Sequence, residues 1–374
     1  MDASAPRAPR ARHVPLKLGI ALVAALIPCL AAEVTLRLLA GPPDTQGLFT
    51  ELSSEIEYSG RPHARGFLGG VPVAFNEFGL RDREHTLAPA PGTIRILALG
   101  DSYTFGLGVP EELTYPRVTE ALLNASRGDA VPAVEILNFG IPGYNTLHEL
   151  EQLRQLGLAF HPGIVVVGFL FDDLALSAVQ RRRLEATDPP GSAREPSGDG
   201  FGAALRSSIS AGIVYMKRHS LLAAWAMPRL GVVLRPLGVM GVGSVGAYKY
   251  QFVESNPEWQ RVRRALLEMN SLCEQHECRL VVVILPAMAR FSESGYPIPE
   301  YHDAVSAFCR SADLSCLDLL PAFWGLDGTQ LWISPTDGHP NAQADRIIAD
   351  ALSAFLAPML TAHADVVRAP APPR

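Results

Sequence analysis

Five short runs of apolar, largely β-branched residues constrain this chain more than any other feature of its sequence. TIRILAL (93–99), AVEILNF (133–139), GIVVVGFL (163–170), RLVVVILP (279–286) and LSCLDLL (314–320) show little polar alternation. A strand that is apolar at consecutive positions has to be covered on both faces, which points to a parallel sheet between helices rather than a half-solvated antiparallel one. The segments between the runs agree. Residues 110–124 and 146–157 carry helical patterning. A further helix starts from Asn256, with Pro257 in its first turn and Trp259, Val262, Leu266, Met269 and Cys273 on one apolar stripe, and residues 340–360 close as a last helix. Strand alternating with helix predicts an α/β fold with helices on both sides of the sheet.

The 374 residues are 48% hydrophobic and 19% charged, enough apolar material for a large core. The 32 Gly and 31 Pro are too scattered for a low-complexity or collagen-like chain. A net charge of −6 argues against nucleic acid as a partner, because such a binder normally carries a basic excess on one face. The charge is not uniform. Residues 1–40 hold Arg7, Arg10, Arg12, Lys17 and Arg37 against Asp2 and Glu33, a local excess of +3. The basic stretch leads into the apolar run Leu18–Ala32. Continued to Leu39, that run reaches the roughly 17 to 25 residues that cross a bilayer, provided Glu33 and Arg37 sit at the outer interface. The expected layout is a cytoplasmic tail (1–13), a single-pass transmembrane signal-anchor (14–40) and an extracytoplasmic, periplasmic body, with the basic end retained inside. A cleaved signal peptide is the alternative, although Leu30-Ala31-Ala32 is a mediocre cleavage site and Cys29 lacks the small residue before it that a lipoprotein site wants.

Cys273, Cys278, Cys309 and Cys316 form an even set that suits an oxidising compartment, and four cysteines allow three pairings between which the sequence does not choose. Cys273, His276 and Cys278 have the look of half a zinc site, but no second pair with ligand spacing follows. Residues 41–90 read as a lead-in or linker packed on the domain edge, 91–360 as the main domain and 361–374 as a disordered tail. Within the domain, 176–250 is an insertion or cap. Its residues 180–205 read as an exposed loop, and its apolar stretch Ala211–Gly246, with Trp225 and Met240, as a helical segment over the site.

Ligands of open parallel sheets bind at the carboxyl ends of the strands. After the first run comes Leu99-Gly100-Asp101-Ser102-Tyr103-Thr104-Phe105-Gly106. Five residues between the glycines and no following Lys exclude a phosphate loop; Gly100-x-Ser102 is half of a nucleophile elbow, with Thr104 where the second Gly would stand. After the second run comes Asn138-Phe139-Gly140-Ile141-Pro142-Gly143-Tyr144-Asn145, after the third Phe171-Asp172-Asp173, and before the last helix Asp337-Gly338-His339-Pro340-Asn341. Each has a purely structural explanation as well: Ser102 as a helix cap, Gly140 and Gly143 as tight backbone, Asp173 as a loop cap, and the other nine histidines as incidental.

These four blocks, in this order, resemble those of the SGNH or GDSL hydrolase superfamily over roughly residues 91–360, and FNEFGLRDREH (75–85) is similar to the stretch before the GDS block in membrane-anchored, exported members. The resemblance implies a flavodoxin-like three-layer αβα sandwich with a parallel five-stranded sheet, preceded by the transmembrane helix. It also implies Ser102 as nucleophile, His339 as its base and Asp337 as the carboxylate that orients the imidazole, with the N–H groups of Ser102 and Gly143 receiving the oxyanion. A hydroxyl is a weak nucleophile until a base takes its proton, and the base needs its tautomer held. Two departures stand out. The acid of many members lies three residues before the His, where this chain has Thr336; the two-residue spacing of Asp337 occurs in some exported relatives. The family's Asn oxyanion donor, in G-x-N-D, is replaced by Asp172 in Leu170-Phe171-Asp172-Asp173. An ionised carboxylate cannot donate a hydrogen bond. Either Asp172 is protonated, or Asn145 or Asn138 supplies the donor, or the protein is slow or no longer a hydrolase.

The expected activity is that of a serine esterase without metal or cofactor, acting on a small-molecule or polysaccharide ester such as an O-acetyl group, or on a lipid ester. Acyl transfer to exported polysaccharide, a degenerate binding module, and metal-dependent phosphoester hydrolysis by Asp101, Asp172, Asp173, Asp337 and His339 stay open as alternatives.

Overall fold

The computed structural model describes residues 14–40, 47–52, 55–128, 131–187, 220, 222, 223, 226, 248–289, 291–292, 295–335 and 337–368. The first helix, α1 (Val14–Ala40), and residues 220–226 belong to one unit; the other described residues, from 47 on, form a second.

In α1, apolar side chains run all round the helix instead of along one stripe, and Leu26, Leu30 and Leu38 are 57%, 68% and 81% exposed. Glu33 and Arg37 are used locally. Arg37 Nε donates to Glu33 at 2.7 Å, one turn back, and Glu33 accepts from Ser220 Oγ (2.8 Å) and Leu222 N (2.9 Å). A membrane-crossing helix, by length and apolarity, is not found among the described residues, which in α1 include the side chains of only Ala24 and Leu26–Leu38.

In the second unit, two hairpins come first: β1 (Phe49–Glu51) with β2 (Tyr58–Gly60), and β3 (Arg65–Leu68) with β4 (Val71–Ala74). The alternating unit follows as β5 (Thr93–Gly100), α2 (Ser102–Phe105), α3 (Tyr115–Ser126), β6 (Ala133–Asn138), α4 (Thr146–Gln155) and β7 (Ile164–Phe169). After α5 (Ala178–Thr187) it resumes with α6 (Pro257–Gln275), β8 (Arg279–Ile284), α7 (Pro299–Ser311), β9 (Ser315–Asp318) and α8 (Leu320–Phe323). A third hairpin, β10 (Trp332–Ser334) with β11 (Asp337–Pro340), leads into α9 (Ala342–Arg368).

The five β-branched runs form one all-parallel sheet in the order β6-β5-β7-β8-β9, the flavodoxin-like arrangement. All six residues of β7 are buried, and only Thr93 of β5 and Arg279 of β8 are not, as expected of strands covered on both faces. One face is covered by α3 packed on α9, the other by α4 packed on α6. Asn256 caps α6 by accepting from Glu258 N, and the stripe Trp259, Val262, Leu266, Met269 and Cys273 is buried.

One connection is a helix that no single motif marked, and two expectations need correcting. The segment between the fourth and fifth strands is the helix α7, burying Tyr301, Val305 and Phe308; a parallel connection of that length needs such a crossover. The tail from 361 is helical as far as Arg368. The lead-in is no linker, because Asn76, Arg81, Asp82 and His85 are all at least 95% buried. Most of the expected cap, including Trp225, Met240 and Thr187's successors to 219, lies outside the described residues.

The lead-in grips the machinery of the sheet end. Asn76 Oδ1 accepts from Phe78 N and Leu80 N, Asp82 Oδ2 accepts from Asn138 N at 2.9 Å, and His85 joins Asp82 to Glu135. Arg81, 1% exposed, donates through Nη1 to Phe105 O (2.9 Å) and Gly106 O (2.6 Å) and through Nη2 to Val109 O (2.6 Å). Burial pushes its pKa down to about 10 against the opposing pull of Glu111, Asp345 and Glu112, and the guanidinium stays charged. Removing it leaves the Phe105 and Val109 carbonyls without that donor and Gly106 O with only its bond from Val109 N. Arg81→Met is therefore expected to lower the unfolding free energy by about 3 kcal/mol or more, read as a shift in urea midpoint at constant slope; a loss below about 1 kcal/mol would show that these bonds do not hold the loop.

Candidate active site

β5 ends at Gly100, and its last residues pair with Asn138 of β6 and Gly168 of β7 (Ala98 opposite Asn138, Gly100 opposite Gly168). The chain turns there into α2. Asp101 caps it, accepting from Tyr103 N at 2.8 Å, and Ser102 opens it, so the Ser102 N–H has no carbonyl partner within the helix. The loop after β6 lies directly against α2: a Cβ on Gly140 would stand 2.2 Å from Phe105 N. Three residues on, Gly143 has φ +84°, a backbone region that other residues seldom enter. Tyr58 of β2 holds this corner by donating to Pro142 O at 2.7 Å, and Tyr144 donates back to Tyr58 O.

The β10–β11 hairpin brings in the far end of the chain. Trp332 Nε1 donates to Met288 O, and Asn341 caps α9 through Gln343 N and Ala344 N while Nδ2 donates to Gln330 O, so both ends of the D-x-H-P-N block are fixed. His339 Nε2 lies 2.9 Å from Ser102 Oγ, and His339 Nδ1 lies 2.5 Å from Asp337 Oδ1, which also accepts from His339 N. Burial alone would push the imidazole's pKa down. The hydrogen bond to Asp337 and the charge of Asp337 lead the effects that outweigh this and set it above the ordinary histidine value. Ser102, His339 and Asp337 thus form a continuous hydrogen-bonded chain, the arrangement in which a hydroxyl can hand its proton to an imidazole that a carboxylate steadies.

The surrounding carboxyls are buried. Asp101 is pushed up to about 7, by burial first and then by Asp172. Asp172, on the single 3₁₀ turn after β7 (Phe171–Leu174), is also raised, chiefly by burial, and its Oδ1 is buried without a hydrogen-bond partner. Asp173 Oδ2 accepts from Leu170 N, which places it as a cap on that turn. Glu149 in α4 is fully buried, and burial raises it as well.

The two asparagines considered as oxyanion donors fare differently. Asn145 is spent: Nδ2 donates to Ala175 O and Gln180 Oε1, both at 2.8 Å, and Oδ1 accepts from His148 N to cap α4. It is not available as a donor, because both amide hydrogens hold the turn before α5. Asn138 Oδ1 accepts from Gly140 N, and its Nδ2 is buried without a partner. Among the described residues, no group of three or more His, Cys, Asp or Glu side chains is placed to hold a metal ion; that includes the Cys273-His276-Cys278 stretch and the carboxylates around His339.

Sequence reasoning passed over several residues that shape the site. Tyr58 gave no signal, since an isolated aromatic in a turn-rich stretch looks like any other. Three of the histidines set aside are buried in polar networks: His85 between Asp82 and Glu135, His148 beside Glu57 and Gln180, and His302 between Tyr296 Oη (2.9 Å) and Asp318 (2.7 Å).

No curated protein matches the chain. Among solved structures it is similar to TesA (14% identity, TM-score 0.40, covering 71% of this chain and 99% of that one). It is similar also to LAE5, an alpha/beta hydrolase enzyme from the metagenome of Lake Arreo, Spain (13%, TM-score 0.40, 70% and 94%). A third is Axe2, an acetylxylan esterase from Geobacillus stearothermophilus (13%, TM-score 0.40, 70% and 94%). The family model for the GDSL-like lipase/acylhydrolase family matches residues 98–347, well over half of the chain and a span that runs from the end of β5 past His339. The chain therefore belongs to the GDSL-like lipase/acylhydrolase family and is a hydrolase of ester bonds.

Proposed function

We propose that the protein is a membrane-anchored, extracytoplasmic serine esterase that cleaves small acyl esters, with O-acetyl groups of cell-surface polysaccharide as the substrate class, through an acyl-serine intermediate. The observation that carries the chemistry is the Ser102–His339–Asp337 chain. His339 Nε2 takes the proton as Ser102 Oγ adds to the ester carbonyl. The imidazolium so formed is stabilised by Asp337 and returns the proton to the departing alcohol. Water then repeats the sequence on the acyl-serine and regenerates the hydroxyl. The tetrahedral oxyanion is received by the N–H groups of Ser102 and Gly143 and by the O–H of a neutral Asp172. The burial that raises Asp172, its buried and unpartnered Oδ1, and the engagement of Asn145 elsewhere support that last assignment. Each donor of this kind is worth about 2.7 to 4 kcal/mol in the transition state.

The anchored location rests on the basic residues before α1 and on the apolar side chains α1 exposes all round. The polysaccharide substrate rests on the resemblance of the lead-in to exported members and on that location.

Three outcomes are expected. Wild-type protein labels with a fluorophosphonate and releases phenol from short-chain aryl esters, whereas Ser102→Ala does not label and loses at least about 10³-fold in kcat; an unlabelled wild type would defeat the assignment. Because His339 must be neutral to accept a proton, and its pKa is raised, activity falls as pH drops through a value above the ordinary histidine pKa of about 6.5; Asp337→Asn moves that limb to lower pH and lowers kcat. For Asp172 the sign is opposite: rising pH removes the donated proton and sets a charge beside the oxyanion. Asp172→Asn, which donates at every pH, should therefore gain on the wild type by about tenfold or more on the alkaline side and least at acid pH; a ratio that is flat across pH would remove Asp172 from the oxyanion site. The anchor is checked separately. Full-length chain should stay with membranes through alkaline carbonate washing, and its body should be cut by protease added from outside the cytoplasmic membrane.

A further inference from the structure

Two helix-to-strand turns, at the opposite end of the sheet from Ser102, are built alike. At the end of α6, Glu277 has φ +59°, its N–H donates to Glu274 O at 3.3 Å, and Cys278 N donates to Cys273 O at 2.8 Å. At the end of α7, Asp313 has φ +53° and Leu314 N donates to Cys309 O at 2.9 Å. This is the helix ending in which the first residue beyond a left-handed position bonds back to the third-last helical residue, and it brings the side chains of those two positions together. In the α6 turn both positions are cysteines, 273 and 278. In the α7 turn the helical position is Cys309, and Cys316 stands two residues beyond Leu314 on the same face of the strand. All four are free thiols in this structure; the 2.8 Å bond from Cys278 N to Cys273 O brings that pair to one spot, and Cys309 and Cys316 face the same core across the α7 turn. Cys273 and Cys309 are fully buried, Cys278 is 8% exposed and Cys316 is half-buried. Neither left-handed residue is a glycine, so each turn carries backbone strain that a bond across it would hold in place.

We propose that Cys273–Cys278 and Cys309–Cys316 are two disulfides of the mature domain, each closing a helix-to-strand turn, a reading that takes the exported location from the preceding section. Either of the two crossed pairings would have to link the ends of two different helices, whereas each proposed bond stays within one turn. Formation is ordinary thiol–disulfide exchange. One thiolate of a pair attacks a disulfide-bearing thiol oxidase of the exported compartment, releasing one of its sulfurs as thiolate. The second thiolate of the pair then resolves the mixed disulfide. Each pair thus loses two protons and two electrons, and the oxidase disulfide is reduced to a dithiol. The bonds lie at the strand starts, away from the Ser102 rim, so their contribution is to stability and not to ester turnover.

The test is a peptide map of full-length protein isolated from membranes, unfolded in denaturant that already contains the alkylating reagent and digested with trypsin without reduction. Cys273 and Cys278 fall in one peptide, Ala265–Arg279, expected to be lighter by two hydrogens and unalkylated. Cys309 and Cys316 fall on either side of Arg310, and their two peptides should arrive joined. Adding reductant should lower Tm by about 5–10 °C and leave aryl-ester turnover at room temperature within twofold. A parallel sample, refolded in mixed oxidised and reduced glutathione, separates the two claims. The same two links in both samples support the pairing and the location together. Links in the refolded sample with four alkylated thiols in the membrane sample support the pairing and overturn the exported location. Crossed links, or four alkylated thiols in both samples, overturn the pairing.

Discussion

The register of three parallel strands is the constraint from which the rest of this molecule follows. β5 stands between β6 and β7, with Ala98 level with Asn138 and Gly100 level with Gly168, so three loops leave the sheet at the same height. One starts α2 with Ser102, one carries Gly140 and Gly143 over α2, and one makes the turn that holds Asp172. The chain reverses its direction of winding at this point, which opens a crevice between the loops. A slip of one residue in either pairing would turn every strand side chain to the opposite face and disperse these loops.

What secures that rim is polar and comes largely from outside the sheet. The lead-in supplies Arg81 to the carbonyls behind α2 and Asp82 to the amide of Asn138, while Glu135, ion-paired with Arg95 at 2.6 Å, ties His85 to the same edge. Buried charges of this kind are costly to bring out of water and contribute little net stability, yet each is expensive to leave without its partner. Their effect is geometric: they leave α2 and the loop after β6 one arrangement. The stretch FNEFGLRDREH has a physical role here, since Asn76, Arg81, Asp82 and His85 are its residues that turn inward.

The same burial sets the electrostatics of the site. Asp101, Glu149, Asp172 and Asp173 are all raised by removal from water, whereas Asp337, at the more open hairpin, meets the imidazole directly. One chemical group therefore serves two purposes. A carboxylate beside His339 steadies positive charge, and a carboxyl removed from water holds its proton more tightly than an exposed one.

By itself the sequence determined the α/β class, the five strands of the sheet, the capped helix α6 and the four blocks that belong at the strand ends. All of these are local signals, carried by runs of β-branched residues, by apolar periodicity and by short motifs. It also pointed to Ser102, His339 and Asp337, but as residues up to 237 positions apart, with no means of showing that they meet. That meeting was decided by tertiary structure, through sheet order and the β10–β11 hairpin, whose pairing depends on packing against Met288 rather than on any strong turn signal of its own. Tertiary structure likewise made α7 a helix, made a strap of a Pro- and Gly-rich lead-in, and committed Asn145 to holding a turn. Each of these depends on which groups share a buried space, and that is a property of distance in the folded chain, which spacing along the sequence does not encode.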